Sequence, residues 1–244
     1  MSVSVIIPAL NEETTVADVV RACLADDPME VIVVDADSTD HTAQRAAAAG
    51  AKVYNWREIL PEIAPRPGKG ESLWRGVAAA QGDIVVFVDA DLESAYPGMV
   101  AQLAAPFADP EIQMVKATYR RTFNGAPSGG GRVTELTAKP LLRTFFPELE
   151  DIAQPLGGEY ALRTSLARTL PFVDGYGVEA GLLIDVAKRC GVSSIAEVDL
   201  GERIHRNRPL HELAPMAEVV VRTILSRAGA VGPVAQREPS GGKL

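Results

Sequence analysis

The chain has 244 residues, of which 47% are apolar and 23% are charged, and its formal net charge is −8 at pH 7. This length is sufficient for one large α/β domain or two small ones with a substantial core. The excess of acidic residues argues against general binding of nucleic acid, and no apolar run approaches the length of about 20 residues that spans a membrane.

The first residues and the two cysteines indicate the cellular location. The chain passes from Met1 directly into the pattern of a strand, without a basic leader, so we expect no signal peptide. Cys23 and Cys190 stand far from any Cys-x-x-Cys pair, and we expect both to be reduced, as in a cytoplasmic protein.

The first half of the chain alternates short apolar runs with helical patterns, which is typical of an α/β fold with a mostly parallel sheet. Strands are predicted at residues 3–7, 31–34, 52–55, 84–88 and 112–119. Asn11 is predicted to cap the first helix, because Glu12 and Glu13 would then lie near the positive end of its dipole. A further helix is predicted at residues 71–81.

The second half has a less regular pattern. Residues 124–131 are rich in Gly, Ser and Pro and predict a loop, and the helical pattern that begins at Val133 is interrupted by Pro140. Further helices are predicted at 177–190 and 210–226, and the residues from 229 to 244 are expected to be disordered.

Two aspartates, Asp89 and Asp91, follow the buried run 84–88 at alternate positions. Residues two apart in an extended chain point to the same side, so the two carboxylates can converge. Ligands bind open α/β sheets beyond the carboxyl ends of the strands, where two carboxylates suit a hard divalent cation that also holds phosphate oxygens. An alternative in which one aspartate caps the next helix and the other is solvated is equally compatible with so short a motif.

Two common classes of nucleotide-binding motif are missing from the expected places. The first strand is followed by PALNEE at residues 8–13 rather than by G-x-G-x-x-G. The segment GKGE at residues 68–71 lacks both the spacing and the Ser or Thr of a P-loop. A dinucleotide-binding fold and a P-loop NTPase are therefore not expected.

Polar residues follow three of the predicted strands instead. The segments SVIIPALNE (4–12), VDADSTDHT (34–42) and VDAD (88–91) resemble the nucleotide-sugar domain of family 2-like GT-A glycosyltransferases. The resemblance implies a Rossmann-like α/β domain whose first two strand ends hold the nucleoside, with a divalent metal on the diphosphate at the Asp-x-Asp. The residues that it implies for donor binding are Pro8, Ala9, Leu10, Glu12, Asp35, Lys69, Asp89, Ala90 and Asp91.

The second half narrows the resemblance to the glucosyl-3-phosphoglycerate synthases of actinobacteria. The matching segments are RPGKGESLWR (66–75), YRR (119–121), GGGRVTEL (129–136), QPLGGEY (154–160), GYGVE (175–179) and HRNRP (205–209). Those enzymes are retaining transferases that move glucose from UDP-glucose to the 2-hydroxyl of 3-phosphoglycerate. The resemblance therefore implies these two substrates, Mg²⁺ or Mn²⁺ as cofactor, a homodimer, a nucleotide-sugar half at 1–118 and an acceptor-binding and helical half at 119–228.

The glycine run at 129–131 and Arg132 precede a predicted helix. Free backbone N–H groups, the positive end of a helix dipole and a guanidinium together form a phosphate site. The alternative is a flexible loop before an ordinary helix, but an acidic protein that concentrates positive groups here favours the phosphate site. The acceptor-binding residues implied by the resemblance are Gly131, Arg132, Val133, Thr134, Tyr176 and Asn207.

Three more residues are interpreted through the resemblance. Taken alone, His205 is interpreted as a surface residue in a basic loop. The resemblance implies instead that it is a metal ligand beside Asp91, with Asp89 in support. Taken alone, Glu179 is interpreted as compensating a helix dipole. The resemblance implies instead that Glu179 faces the sugar and is catalytic, and that Asp91 and Arg132 are catalytic as well. Lys69 is expected near the nucleotide, with a solvated lysine as the alternative.

The sequence departs from the family pattern in several places, among them Asp37 and Ala90, the middle residue of the Asp-x-Asp, and two other functions share part of that pattern. Asp37 stands where these enzymes usually have Gly, which affects the turn under the uracil. An inverting transferase acting on a polyprenyl phosphate would share the first-half motifs and place the apolar side of the 210–226 helix on lipid. A non-catalytic nucleotide-sugar-binding module would bind the donor without turnover, although it would not need to retain the acids at 89, 91 and 179 and the histidine at 205.

Overall fold

The elements follow the predicted alternation closely in a computed structural model, which describes residues 1–123, 126–127, 131–204 and 210–239. The strands are β1 (Val3–Ala9), β2 (Glu30–Asp35), β3 (Lys52–Asn55), β4 (Ile84–Phe87), β5 (Met114–Phe123), β6 (Ala126–Pro127), β7 (Tyr160–Arg163), β8 (Phe172–Val173), β9 (Ile195–Ile204) and β10 (Gln236–Arg237). The α-helices are α1 (Val16–Leu24), α2 (Thr42–Ala48), α3 (Lys69–Ala79), α4 (Met99–Ala104), α5 (Lys139–Phe145), α6 (Thr164–Ala167), α7 (Val178–Cys190) and α8 (Leu210–Arg227).

The main sheet has the strand order β3-β2-β1-β4-β7-β5-β6, and β9 also pairs with β5. The pairs β2–β3, β1–β2, β1–β4 and β5–β9 are parallel, whereas β7 runs antiparallel to both β4 and β5. The prediction of an α/β fold with a mostly parallel sheet is therefore confirmed. Ala9 pairs with Asp35, and Ile6 pairs with Phe87, so the ends of β1, β2 and β4 reach the same edge of the sheet.

Both faces of the sheet are covered by helices. Alternate residues of β1 point to opposite faces, so Ile6 belongs to a core cluster with the buried residues of α3 and α7, and Ile7 belongs to a second cluster with those of α1 and α4. Strands buried on both faces explain the continuous apolar runs that the sequence shows.

The predicted helix cap at Asn11 is wrong. Helix α1 begins at Val16, and Asn11 has φ 56°, in the left-handed region. The Asn11 Oδ1 atom accepts a hydrogen bond of 2.9 Å from the backbone N–H of Thr39, and the backbone N–H of Glu12 donates to Thr42 Oγ1 at 2.8 Å. These contacts tie the loop after β1 to the loop after β2, so the amide side chain joins two loops instead of capping a helix.

Two features of the second half differ in detail from the sequence pattern. Residues 134–138 form a π-helical turn, and α5 then begins at Lys139, next to the predicted interruption at Pro140. The expectation of disorder after residue 229 fails for residues 236–237, which form β10 and pair antiparallel with β8.

Helix α8 directs an apolar side into the protein. Val220, Thr223 and Ile224 are buried, and the helix packs against α7 and the turn at residues 175–177. Throughout the ranges given above, no helix combines the length and the hydropathy of a membrane span.

A buried carboxylate joins β2 to the neighbouring strands. Glu30 accepts hydrogen bonds from Ser4 Oγ at 2.7 Å, from the backbone N–H of Gln81 at 2.8 Å and from Lys52 Nζ at 2.8 Å. Burial alone would raise the pKa of Glu30, but the hydrogen bonds from Lys52 and Ser4 outweigh it and hold the pKa below its usual value. The charged form of Glu30 therefore stabilises this end of the sheet.

We expect the substitution Glu30→Gln to lower the free energy of unfolding by about 1–3 kcal/mol at pH 7, because an amide cannot replace the charged acceptor. A lowered pKa stabilises the fold above the pKa of the unfolded chain, and this contribution is lost as the pH falls through the folded-state pKa. Urea denaturation at pH 7 and at about pH 3 should show the difference between wild type and variant closing at low pH. The exposed Glu111→Gln serves as the control, and a difference that persists at low pH would contradict the assignment.

Candidate active site

The first-half residues that the sequence predicts to bind the donor lie at one edge of the sheet. Pro8 and Ala9 end β1, and the side chain of Leu10 is 55% exposed just beyond them. Asp35 ends β2 and is buried, and its Oδ2 atom accepts from the backbone N–H of Ser38 at 3.2 Å. Its Oδ1 atom is buried without a hydrogen-bond partner among the described residues. This edge thus combines an exposed apolar side chain at Leu10 with a buried carboxylate oxygen that lacks a hydrogen-bond partner in the described part of the chain.

Lys69 lies between two carboxylates from different parts of the chain. Its Nζ atom is 2.5 Å from Asp89 Oδ1 and 2.7 Å from Glu179 Oε1, and its side chain is only 16% exposed. Burial alone would lower the pKa of Lys69, but Asp89 and Glu179 raise it well above its usual value. The alternative of a solvated lysine is therefore wrong, and Glu179 does more than compensate the dipole of α7.

The pairing continues from Asp89 to residues that the sequence patterns did not single out. Asp89 Oδ2 is 3.1 Å from Arg203 Nη2, and Arg203 Nη1 is 2.6 Å from Glu159 Oε2. Glu179, Lys69, Asp89, Arg203 and Glu159 thus alternate in sign, and we refer to these five residues as the charge chain. The available signals were the QPLGGEY segment, which contains Glu159, and the basic residues around His205, which include Arg203, but neither reveals a pairing between residues 44 positions apart.

The charges of these residues follow from their surroundings. Burial alone would raise the pKa of Asp89, but Lys69 and Arg203 hold it well below its usual range. Burial raises the pKa of Glu159 in spite of the adjacent Arg203, and its Oε1 atom has no hydrogen-bond partner within the described part of the chain. Asp89 is therefore a fixed anion between two fixed cations.

A tight turn covers Asp89. A Cβ atom at Gly158 would lie 2.1 Å from Asp89 Oδ2, so only glycine fits. Lys116 is fully buried, donates from Nζ to the carbonyl oxygen of Gly157 at 2.8 Å, and lies 4.6 Å from the ring centroid of Tyr160. Burial lowers the pKa of Lys116 to about 8. Lys116 thus fixes the turn that closes over Asp89, another role that the sequence did not indicate.

The residues available for a divalent cation are oxygen donors. Both oxygens of Asp89 face cations, and Asp91 lies half-buried two residues further along. Residues 1–123, 126–127, 131–204 and 210–239 contain no group of three His, Cys, Asp or Glu residues that could hold a metal, and His205 lies outside them. Because Mg²⁺ and Mn²⁺ sites often use one or two carboxylates together with substrate phosphates, Asp91 fits such a cation when a diphosphate is bound.

The residues that the sequence predicts to bind the acceptor, where the structure describes them, fall on two segments that both pack against α8. Arg132 is exposed, Thr134 is buried, and the backbone N–H of Glu135 donates to the carbonyl oxygen of Gly131 at 2.9 Å, so a helical segment starts at the predicted place. Tyr176 is 40% exposed in the turn at 175–177. This turn and the π-helical residues 134–138 both pack against α8, whereas Asn207 lies outside the described residues.

Asp37 occupies a backbone conformation that favours glycine, and its side chain is paired there. Asp37 has φ 63°, a conformation that favours glycine. Its carboxylate accepts from Arg57 Nε at 3.0 Å and Nη2 at 2.6 Å, and from Asn55 Nδ2 at 3.0 Å. The Arg57 guanidinium holds the pKa of Asp37 well below its usual range. A paired aspartate thus occupies the left-handed position.

Comparison with known proteins gives concordant results. The family model for Glycosyl transferase family 2 matches residues 4–155. A glucosyl-3-phosphoglycerate synthase of Mycobacterium tuberculosis is 51% identical over 239 residues, which cover 93% of this chain and 74% of the relative.

Solved structures extend this similarity to the whole fold. The crystal structure of the M. tuberculosis glucosyl-3-phosphoglycerate synthase in complex with Mn²⁺, UDP-glucose and phosphoglyceric acid matches with a TM-score of 0.90 and 46% identity, covering 98% of this chain and 90% of that one. A structure of the same enzyme with Mn²⁺, UDP and glucosyl-3-phosphoglycerate matches with a TM-score of 0.91, at the same identity and coverage. With half of its residues shared along most of its length, the chain belongs to glycosyl transferase family 2 and, within it, to the glucosyl-3-phosphoglycerate synthases.

Proposed function

We propose that this protein transfers glucose from UDP-glucose to 3-phosphoglycerate and releases UDP and glucosyl-3-phosphoglycerate. The observation that carries the proposal is the match to a structure, at 46% identity over 98% of the chain, that holds Mn²⁺, UDP-glucose and phosphoglyceric acid. The related complex with UDP and glucosyl-3-phosphoglycerate supports the same reaction from the product side.

We assign the donor to the edge at which β1, β2 and β4 end. Pro8, Ala9, Leu10, Glu12 and Asp35 would hold the nucleoside, and Ala90 would lie under the diphosphate. Lys69, held at this edge by Asp89 and Glu179, supplies a positive charge for the diphosphate oxygens. An ammonium fixed in place before the reaction needs little reorganisation when negative charge develops on the leaving group.

We assign the divalent cation, Mg²⁺ or Mn²⁺, to Asp91 and His205, with Asp89 in support. When bound, the cation supplies positive charge that neutralises the diphosphate as it leaves. Asp91 offers the hard carboxylate oxygen, while the ion pairs of Asp89 with Lys69 and Arg203 suit it to hold those cations in place.

We assign the acceptor phosphate to Gly131, Arg132, Val133 and Thr134, with Tyr176 and Asn207 holding the remainder of the acceptor. The N–H groups at the helix start and the Arg132 guanidinium provide charge-assisted hydrogen bonds to the phosphate. Anchoring the phosphate holds the 2-hydroxyl beside the anomeric carbon. The reaction then has a lower entropic barrier, because the two reacting atoms are already in position.

The bond from the anomeric carbon to the phosphate oxygen breaks as the bond to the acceptor oxygen forms. With retention of configuration, attack occurs on the face from which UDP leaves, and the acceptor proton passes to a phosphate oxygen of UDP. Glu179 is buried beside Lys69 and would accept hydrogen bonds from the hydroxyls of glucose. We assign no carboxylate as a covalent nucleophile.

We further propose that the protein is a homodimer, as the resemblance implies, and that it is located in the cytoplasm. Both cysteines are free, with Cys23 buried, which suits a reducing compartment. The apolar side of α8 packs on α7 and on the turn at 175–177, so it is occupied by protein and gives no support to a polyprenyl phosphate acceptor. The acids at 89, 91 and 179, which a binding module need not retain, favour an enzyme.

Release of UDP from UDP-glucose with Mn²⁺, measured with and without 3-phosphoglycerate, tests the reaction and the acceptor site together. We expect release to depend on 3-phosphoglycerate, and Arg132→Ala to raise the KM for it about 10–100-fold, because a charge-assisted phosphate contact is lost. The control is Arg143→Ala, an exposed arginine on α5. Release that is unaffected by 3-phosphoglycerate would refute the acceptor assignment.

Lys69→Met should lower kcat/KM for UDP-glucose by about 10²–10³-fold, because the preorganised positive charge at the diphosphate is removed. The matched control is Lys188→Met, an exposed lysine on α7, for which wild-type kinetics are expected. Steady-state kinetics at saturating 3-phosphoglycerate measure the effect. Equal kinetics for the two variants would show that Lys69 only balances the charges of its neighbours.

Removal of divalent ions with EDTA should abolish UDP release, and added Mn²⁺ or Mg²⁺ should restore it. We expect Asp91→Asn to reduce kcat about a hundredfold or more, since a neutral ligand weakens the cation that offsets the leaving charge. Asp18→Asn, at an aspartate that is 82% exposed on α1, is the control. Full activity of Asp91→Asn in the presence of Mn²⁺ would show that Asp91 is not a ligand of the metal.

A further inference from the structure

The residues around β10 lie against β8, close to the start of α3. Gln236 pairs with Val173 and Arg237 pairs with Phe172, and the backbone N–H of Asp174 donates to the carbonyl oxygen of Ala235 at 3.1 Å. Arg66 Nη1, in the loop before α3, donates to the carbonyl oxygen of Gln236 at 2.7 Å. The end of the described chain thus joins two segments that are far apart in sequence.

Arg237 is the main side-chain contact of this segment. Its Nε atom donates to Glu71 Oε2 at 2.6 Å, and its Nη2 atom donates to Glu71 Oε1 at 2.9 Å and to the carbonyl oxygen of Ala64 at 2.5 Å. The side chain of Glu71 is completely buried and that of Arg237 is 11% exposed. A buried carboxylate is costly unless it is paired, so this two-point contact fixes both partners.

Glu71 has a second arginine on its other side. Arg75, also completely buried, donates from Nε to Glu71 Oε1 at 2.7 Å and from its Nη atoms to the carbonyl oxygens of Leu60 at 3.2 Å and Ile63 at 2.5 Å. Trp74 lies 5.1 Å from the Arg237 guanidinium, and its Nε1 atom donates to the carbonyl oxygen of Glu238 at 3.0 Å. Residues 60–64, α3 and β10 are therefore held as one unit.

This unit adjoins the backbone of Lys69. A Cβ atom at Gly70 would lie 1.9 Å from the carbonyl oxygen of Val173, and one at Gly68 would lie 2.5 Å from the backbone nitrogen of Gly175. The residues on either side of Lys69 therefore rest directly on β8 and on the turn that carries Tyr176. Since β10 lies on β8 and Arg237 holds Glu71, two residues after Lys69, displacement of Arg237 would weaken the support of the lysine from both segments.

We propose that Arg237 is a positioning residue of the transferase, which acts through Glu71 and β8 to place Lys69 and Tyr176 for the reaction. This inference rests on the proposed function, because the reaction provides its kinetic readout. It assigns a catalytic consequence to Arg237, whose carboxylate partner among the described residues is Glu71 rather than Asp89 or Glu179.

The test compares Arg237→Met, Arg237→Lys and the control Arg222→Met, an exposed arginine on α8. Steady-state kinetics would give kcat and both KM values, and hydrogen exchange would report on residues 64–72 and 172–178, with β1 and β2 as the reference. We expect Arg237→Met to lower kcat about 10–100-fold and to accelerate exchange in those two segments alone. Arg237→Lys should recover part of kcat, because it keeps the charge but not the two-point contact.

Two results would overturn the inference. One is a kcat for Arg237→Met within about twofold of that of Arg222→Met, which is too small for a misplaced catalytic group. The other is accelerated exchange throughout the sheet, which would assign Arg237 to the global stability of the fold. If Arg237→Met fails to fold, Arg237→Lys decides the question: a wild-type kcat in that variant would show that the two-point contact with Glu71 is not needed to place Lys69, and would refute the positioning role. If wild type shows no turnover with 3-phosphoglycerate, the proposed function fails, while UDP-glucose binding and hydrogen exchange still measure the support of Lys69.

Discussion

The charge chain is the interaction on which the rest of the site depends. Its five residues come from α3, α7, β9, the segment after β4 and the turn before β7, and each internal member has an oppositely charged neighbour on both sides. Buried charges are tolerated only when they are paired, so each of these elements is held in place by the others. The end of β4, the starts of α3 and α7, and β9 are in this way held together. A loss of charge at Lys69 or at Arg203 would leave Glu179 or Glu159, respectively, without its partner in the charge chain.

Close backbone approaches make this arrangement possible. Gly158 lets the turn before β7 pass directly over Asp89, and Gly70 lets α3 start against β8. A side chain at either position would separate the segments by more than an ion pair tolerates. Electrostatics and packing therefore impose the same geometry: the glycines bring the backbones together, and the paired charges then fix the distances between them.

The sequence predicts the first half well because its signals are local. The run at 84–88 and the aspartates that follow it lie within one stretch, and strand ends in a parallel sheet meet at a shared edge. The prediction for Asn11 is wrong because its side chain serves a loop 28 positions away, and that for residues 236–237 because their composition resembles that of a disordered tail. Arg203 and Glu159 form a pair that only the folded chain brings together. The local sequence pattern thus predicts helices and strands, whereas ion pairs between residues far apart in the chain are seen only in the structure.

The contact between Arg237 and Glu71 spans 166 positions of the chain. During synthesis, α3 leaves the ribosome long before Arg237 does, so Glu71 gains this second partner only after residue 237 has emerged. The main sheet can form in the meantime, because its strands precede α8. Under the positioning role proposed for Arg237, the support of Lys69 would therefore be completed only after the strands of the main sheet have been synthesised.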